Sequence, residues 1–325
     1  IKSLPFTSSL VHLDLSFTQI GPSQTCIDTL AHPNFQHLVS LNLQNTRLKT
    51  IDPLLNAQRA FPKLHTLNLS GNRHLSVPTI SAATTQFPNL KILDLSMVHS
   101  SFAIFRAFCG ITEPPAPPLP LQPTPTANIA PFQLEKLFLS GVRQSAPSPQ
   151  TDNAHFLARS PHLSQLKELY LKDSWLNCDD ITQLFHSGDS VLKNLTALSI
   201  GLETRDDNGL KALSAVAKSP LLSNLVKLEL LCTNTYMPPR GQEKHKEEAY
   251  YQPIQEFIDS PFLWNPQLKH LSLHRKPPIF SFDCIIPVLD AANVKLETLD
   301  LGDSMSFGRP SKTSLNALAT ASCLS

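Results

Sequence analysis

An α/β solenoid, with short parallel strands lining one face and helices on the other, is the fold class the sequence predicts. Three observations predict it. The spacing Leu-x-x-Leu-x-Leu recurs ten times, with Ile200 in the last place of the seventh copy, beginning at Leu10, Leu38, Leu64, Leu90, Leu134, Leu166, Leu195, Leu225, Leu268 and Leu296. One unit cannot bury three apolar side chains at i, i+3 and i+5 by itself, so neighbours must stack and share a core. The starts are 28, 26, 26, 44, 32, 29, 30, 43 and 28 residues apart, so the usual period is 26 to 32 residues. That length holds a short strand and a two- to three-turn helix, and because a helix is wider than a strand the stack is expected to curve into a horseshoe. Third, prolines punctuate the repeat at a constant place, at Phe61-Pro62, Phe87-Pro88, Ser160-Pro161, Ser219-Pro220 and Ser260-Pro261.

The elements of one repeat can be justified in order on residues 152–173. Asn153 to Arg159 has helical apolar spacing, Ser160-Pro161 ends it, and the stretch from Leu166 to Leu171 supplies a strand. Proline disfavours the helical region for the residue before it, which makes these pairs stops. A Ser-Pro pair also serves as a phosphorylation site, but its fixed position in three repeats favours structural use.

Two intervals are about 15 residues longer than their neighbours. The first surplus, 112–131, carries Pro114, Pro115, Pro117, Pro118, Pro120, Pro123 and Pro125, which neither pair as a strand nor continue a helix. Its Pro-x-x-Pro spacing fits an SH3 ligand, but no basic residue lies between Arg106 and Lys136, so a spacer is the better reading. The second, 236–251, mixes Met237, Pro238, Pro239 and Arg240 with a charged run from Glu243 to Glu248. It follows a strand and precedes a helix, which places it on the strand C-terminal edge. Irregular loops on a rigid frame are where binding concentrates.

The expected whole is one solenoid over residues 1–325, monomeric, and a segment of a longer protein, since Ile1 is no initiator and Leu315 to Ser325 reads as a helix stopped in mid-array. A net charge of +1 argues against electrostatic attraction to nucleic acid or an anionic membrane. The longest apolar stretch, Phe102 to Ile111, contains Arg106 and is too short to span a bilayer. Cys26, Cys109, Cys178, Cys232, Cys284 and Cys323 are scattered, which suits small buried thiols and a cytoplasmic or nuclear protein.

Strand side chains alternate, so the third, fifth and seventh positions of the motif face away from the core. The first four strands present His12, Asp14, Ser16; Ser40, Asn42, Gln44; Thr66, Asn68, Ser70; and Ile92, Asp94, Ser96. That surface is small, polar and weakly acidic. The fifth and sixth present Lys136, Phe138, Ser140 and Glu168, Tyr170, Lys172, with Phe138 and Tyr170 expected side by side. The eighth and ninth add Lys227, Glu229, Leu231 and His270, Ser272, His274, with Arg275 just beyond. Aromatic anchors with charged neighbours are the composition of an interface hot spot. The expected partner-binding residues are therefore Lys136, Phe138, Glu168, Tyr170, Lys172, Lys227, Glu229, His270 and His274 on the concave face, and Trp175, Tyr236, Arg240 and Arg275 on edge loops. The competing reading is that the aromatics simply pack on cross-strand neighbours.

The ten strand motifs resemble the leucine-rich-repeat superfamily, and the helix-containing length resembles its ribonuclease-inhibitor-like branch, over nearly the whole chain. The resemblance implies a protein-protein interaction scaffold. One departure is at the ninth repeat position, where the family shows Asn, Cys or Thr to satisfy the turn after the strand. Here Val98, Val142, Glu203 and Lys276 stand among Thr18, Thr46, Asn72, Ser174, Thr233 and Ser304, so irregular turns are expected in the middle of the array.

Chemistry is not expected. His12, Asp14 and Ser16 have the composition of a catalytic triad, but they follow one another along a strand face at about 6.6 Å intervals, too far for direct relay. His270 and His274 fail as a metal pair for the same reason, and no phosphate-binding or metalloprotease motif occurs. No enzyme activity, cofactor or metal is expected. The leading reading is a scaffold that binds a protein partner, as the recognition segment of an adaptor or a ubiquitin-ligase substrate receptor. The alternatives are a regulator of a small GTPase acting through Arg143, Arg240 or Arg275, and an extracellular ligand receptor.

Overall fold

The computed structural model describes residues 9–21, 28–30, 32–55, 61–76, 86–99, 101–109, 133–141, 153–172, 176, 178–186, 191–203, 207–233, 255–275 and 294–300. Both insertions, the helix expected at Leu315 to Ser325, and Trp175, Tyr236 and Arg240 lie outside them. The chain divides into two compact units, Ile1–Pro147 with Pro161–Leu166, and Ser148–Ser160 with Lys167–Ser325.

In the first unit the motif leucines set the register. Strands β1 (His12–Asp14), β2 (Ser40–Asn42), β3 (Thr66–Asn68), β4 (Ile92–Asp94) and β5 (Lys136–Phe138) pair in parallel, and Leu13, Leu41, Leu67, Leu93 and Leu137 align in one row. Helices α1 (Asp52–Leu55) and α2 (Ser101–Phe108) lie between strands in the chain. From β2 to β5 the motif leucines are at most 1% exposed, as stacked units require. Three residues before the first motif leucine stands Phe35, Phe61 or Phe87, whose carbonyl accepts from that leucine's N–H at 3.0 to 3.1 Å. Phe61 and Phe87 rings lie 5.6 Å apart, and Phe87 and Phe108 rings 6.2 Å. A buried phenyl thus stands before each of β2, β3 and β4, and at Phe61 and Phe87 the proline follows it directly.

The turn after each strand is also regular. The carboxylate or amide oxygen of Asp14, Asn42, Asn68 and Asp94 accepts from the backbone N–H two residues on, at 2.8 to 3.1 Å. Position eight of the motif is left-handed in all five repeats: Phe17, Asn45, Gly71, Met97 and Gly141 have φ between 52° and 74°. At position nine, Asn72 is fully buried; its Oδ1 accepts from the Thr46 and Leu48 N–H groups and its Nδ2 donates to the Leu43 and Leu69 carbonyls. Val98 takes the equivalent place with an apolar side chain that is likewise buried.

The second unit carries α3 (Asn153–Arg159), β6 (Glu168–Leu171), α4 (Cys178–His186), β7 (Ala197–Glu203), α5 (Asp207–Ala217), β8 (Lys227–Thr233), β9 (His270–Arg275) and β10 (Thr298–Asp300). These strands are again parallel and in order. The helix expected at Asn153 to Arg159 is found with those bounds. Ser160, Ser219 and Ser260 are at most 4% exposed; Ser219 Oγ accepts from the Leu221 N–H, and Ser260 Oγ accepts from Phe262 and Leu263 while donating to the Ala217 carbonyl. The Ser-Pro pairs are structural stops.

The expected irregular turns take a definite form here. β7 and β8 do not turn after three residues but run for seven, with Leu202 and Cys232 aligned at position eight and fully buried. An apolar side chain there continues the alternation into the core instead of curling out, so Glu203 lies within a strand rather than in a turn. Val142 and Lys276 lie outside the described residues. Cys109 and Cys232 are buried thiols that form no disulfide.

Candidate functional site

Parallel register turns the outward positions of the second unit into a grid. One row reads Glu168, Ala197, Lys227, His270, Thr298; the next reads Tyr170, Ser199, Glu229, Ser272, Asp300. The seventh strand contributes Ala197, Ser199 and Gly201, which the sequence reasoning passed over. Their smallness decides the surface.

Side chains of β6 and β8 reach over them. Lys172 Nζ lies 2.6 Å from Glu229 Oε1, Lys227 Nζ stands 5.5 Å from the Tyr170 ring centroid, and the Tyr170 hydroxyl donates to Glu168 Oε2 at 3.0 Å. Two strand spacings, about 9.6 Å, separate the β6 and β8 backbones, so only long side chains can close the gap, and only above a small residue. Ser199 is consequently 1% exposed although it belongs to the outward row. Its hydroxyl is bonded to Glu229.

The electrostatics follow from this arrangement. Burial pushes the Tyr170 phenol up to about 12, helped by the Glu168 charge and hydrogen bond and by the Glu229 charge. Burial also pushes Glu229 upward, but the Lys172 hydrogen bond and charge, the Ser199 bond and the Lys227 charge together outweigh it and hold the carboxyl below its ordinary value. Glu168, Tyr170, Lys172, Lys227 and Glu229 are thus one half-buried cluster.

The histidines do not join it. His270 Nδ1 lies 2.9 Å from Thr298 Oγ1 and His274 Nε2 lies 3.1 Å from Asp300 Oδ2, so both turn to β10 and to separate partners. Lys136 and Phe138 are half-buried on β5 of the first unit, aligned with Ile92 and Asp94. Arg275 is the last residue of β9.

The triad composition at His12, Asp14 and Ser16 is the end of β1 and the turn after it. Hydrogen bonds from Ser16 side chain and backbone, with a further one from Asn42 Nδ2 at 3.0 Å, hold the Asp14 carboxyl below its usual range. Among the described residues no three His, Cys, Asp or Glu side chains gather as metal ligands, and no helix is long and apolar enough to cross a membrane.

Residues 36–82 match the family model described as Leucine Rich repeats (2 copies). Each unit is built as an α/β leucine-rich-repeat solenoid. The matched stretch holds β2 and β3, with the Asn72 hydrogen bonds tying one leucine-rich repeat to the next. No curated protein matches the chain. Leucine-rich repeats generally mediate protein-protein interaction.

Proposed function

We propose that the chain is a non-catalytic scaffold that holds a protein partner against the outward strand side chains from Lys136 to His274, flanked by Trp175, Tyr236, Arg240 and Arg275. The reading extends to the recognition segment of an adaptor or a ubiquitin-ligase substrate receptor, in a cytoplasmic or nuclear protein of the ribonuclease-inhibitor-like branch. The observation that carries it is the cluster over β7. Tyr170 is fixed by Glu168 and Lys227, and Lys172 by Glu229, so an aromatic anchor and four charges are already ordered before a partner arrives. Pre-ordering of this kind lowers the side-chain entropy lost on association.

The test is capture of partners by the intact chain and by the Phe138→Ala/Tyr170→Ala variant, followed by titration of each captured partner against purified protein. The double variant is expected to weaken binding by roughly 2 kcal/mol or more, as loss of hot-spot aromatics does. A folded double variant that binds every partner as tightly as the parent would end the proposal.

A further inference from the structure

After β2, β3, β4 and β5, position eight of the first unit alternates large side chains with none: Asn45, Gly71, Met97, Gly141. A Cβ on Gly71 would stand 2.3 Å from Asn45 Oδ1, and one on Gly141 would stand 2.2 Å from Met97 Sδ. Asn45 therefore covers Gly71 from one side while Met97 lies over Gly141, and a cleft of about 260 Å³ opens between them. It sits at the edge where the chain leaves the strands. Ser70, Asp94 and Ser96 line it.

Asp94 gives the cleft its chemistry. Its carboxylate accepts from the Ser96 N–H at 2.8 Å, and among the described residues no basic side chain pairs with it. Burial pushes its carboxyl up, against the Ser96 hydrogen bonds. An ionised carboxylate drawn out of water is stabilised when a cation comes within hydrogen-bond reach. Further acceptors belong to residues lining the same cleft: Asn45 Oδ1, and Ser70 Oγ, which donates its own proton to Asn68 Oδ1 at 2.7 Å and keeps its lone pairs. Several oxygens around one carboxylate suit the five donors of a guanidinium better than the three of an ammonium. The volume lies below the range of drug-sized pockets and fits one side chain. Arg73 also lines the cleft, but it is exposed, so solvent screens its charge.

We propose that the cleft above Gly71 takes an arginine side chain of a protein segment laid across this edge, with Asp94 as its counter-charge. The proposal rests on the reading of the chain as a protein-binding scaffold, and the site adjoins that surface at one point, where Asp94 pairs in register with Phe138. The probes are an acetylated, amidated Gly-Arg-Gly peptide and its citrulline counterpart, which keeps shape and loses charge, each titrated into the full chain while backbone amide resonances are followed. The arginine peptide is expected to shift the Gly71 and Ser96 amides saturably, and the citrulline peptide to bind at least roughly tenfold more weakly. Asp94→Asn, which preserves the turn to Ser96 because Asn makes the same local bond, is expected to lose the arginine preference. The Tyr170→Ala variant, which leaves Asp94 and its partner Phe138 in place, is expected to bind the peptide as the parent does, so this site and the cluster over β7 fail separately. Equal binding of the two peptides, an unchanged Asp94→Asn variant, or no shift at Gly71 and Ser96 would each overturn the proposal.

Discussion

Tyr170 shows how far one side chain depends on its neighbours two strands away. Its hydroxyl has a carboxylate acceptor in Glu168, and its ring has a cation in Lys227. Burial opposes the loss of the phenolic proton most, and the charge and hydrogen bond of Glu168 add to it, which is why the phenol is pushed up to about 12. Of the four tyrosines, one is therefore expected to titrate late in an absorbance titration. Glu168→Gln should bring that tyrosine back toward the ordinary value near 10; a titration curve unaltered by the substitution would mean that Glu168 does not govern it. The outward direction of Tyr170 was legible in the period-two pattern. Its engagement with Glu168 and Lys227 was not, because that depends on the register of three strands and on what Ala197 and Ser199 lack. Of the expected site residues, those on β6 and β8 come together, whereas His270 and His274 bond to β10.

Turns and strand lengths belong to the next scale. In the first unit the ladder continues past each strand, with the position-eight N–H of Phe17, Asn45, Gly71 and Met97 donating to Gln44, Ser70, Ser96 and Ser140 at 2.7 to 2.8 Å. Each turn is thereby closed by the following repeat. A left-handed φ costs an L-residue about 1 to 2 kcal/mol, and at Gly71 and Gly141 an added methyl also meets a neighbour. Gly71→Ala and Gly141→Ala are each expected to lower the urea-unfolding free energy by about 1 to 3 kcal/mol. Stability within a few tenths of the parent would show that the turns relax freely. The helix stops were readable from Ser-Pro and Phe-Pro because proline acts through local sterics. The long β7 and β8 were less so. Position nine matters less there than the buried Leu202 and Cys232 at position eight, and that distinction depends on which side of the strand each residue takes.

At the scale of the molecule, the ten-fold motif carried the most. A count of leucines at fixed spacing is a statement about burial, and the described leucines from β2 to β5 satisfy it almost completely. β1 and β10 differ, since Leu13 and Leu299 remain half-buried rather than enclosed. In an array stabilised by nearest neighbours, protection against amide exchange follows how well each strand is covered. Amides of β2 to β4 and of β7 to β9 are expected to exchange slowest, and those of β1 and β10 to exchange markedly faster, when hydrogen-deuterium exchange is followed by mass spectrometry. Uniform protection across all ten strands would contradict that picture. Polar side chains contribute modestly by comparison: the Lys91–Glu135 and Lys269–Glu297 pairs cross from repeat to repeat at 2.9 and 2.6 Å, but they are solvated, and exposed pairs add little.

The Lys172–Glu229 bridge above Ser199 has a consequence for recognition. A visitor that offers its own carboxylate to Lys172 must first evict Glu229, and one that offers a cation to Glu229 must evict Lys172, so the tally of ion pairs is conserved as the complex forms. Charge at this spot then discriminates among visitors without tightening their hold, and the adhesion has to come from whatever apolar surface closes over the tyrosine ring.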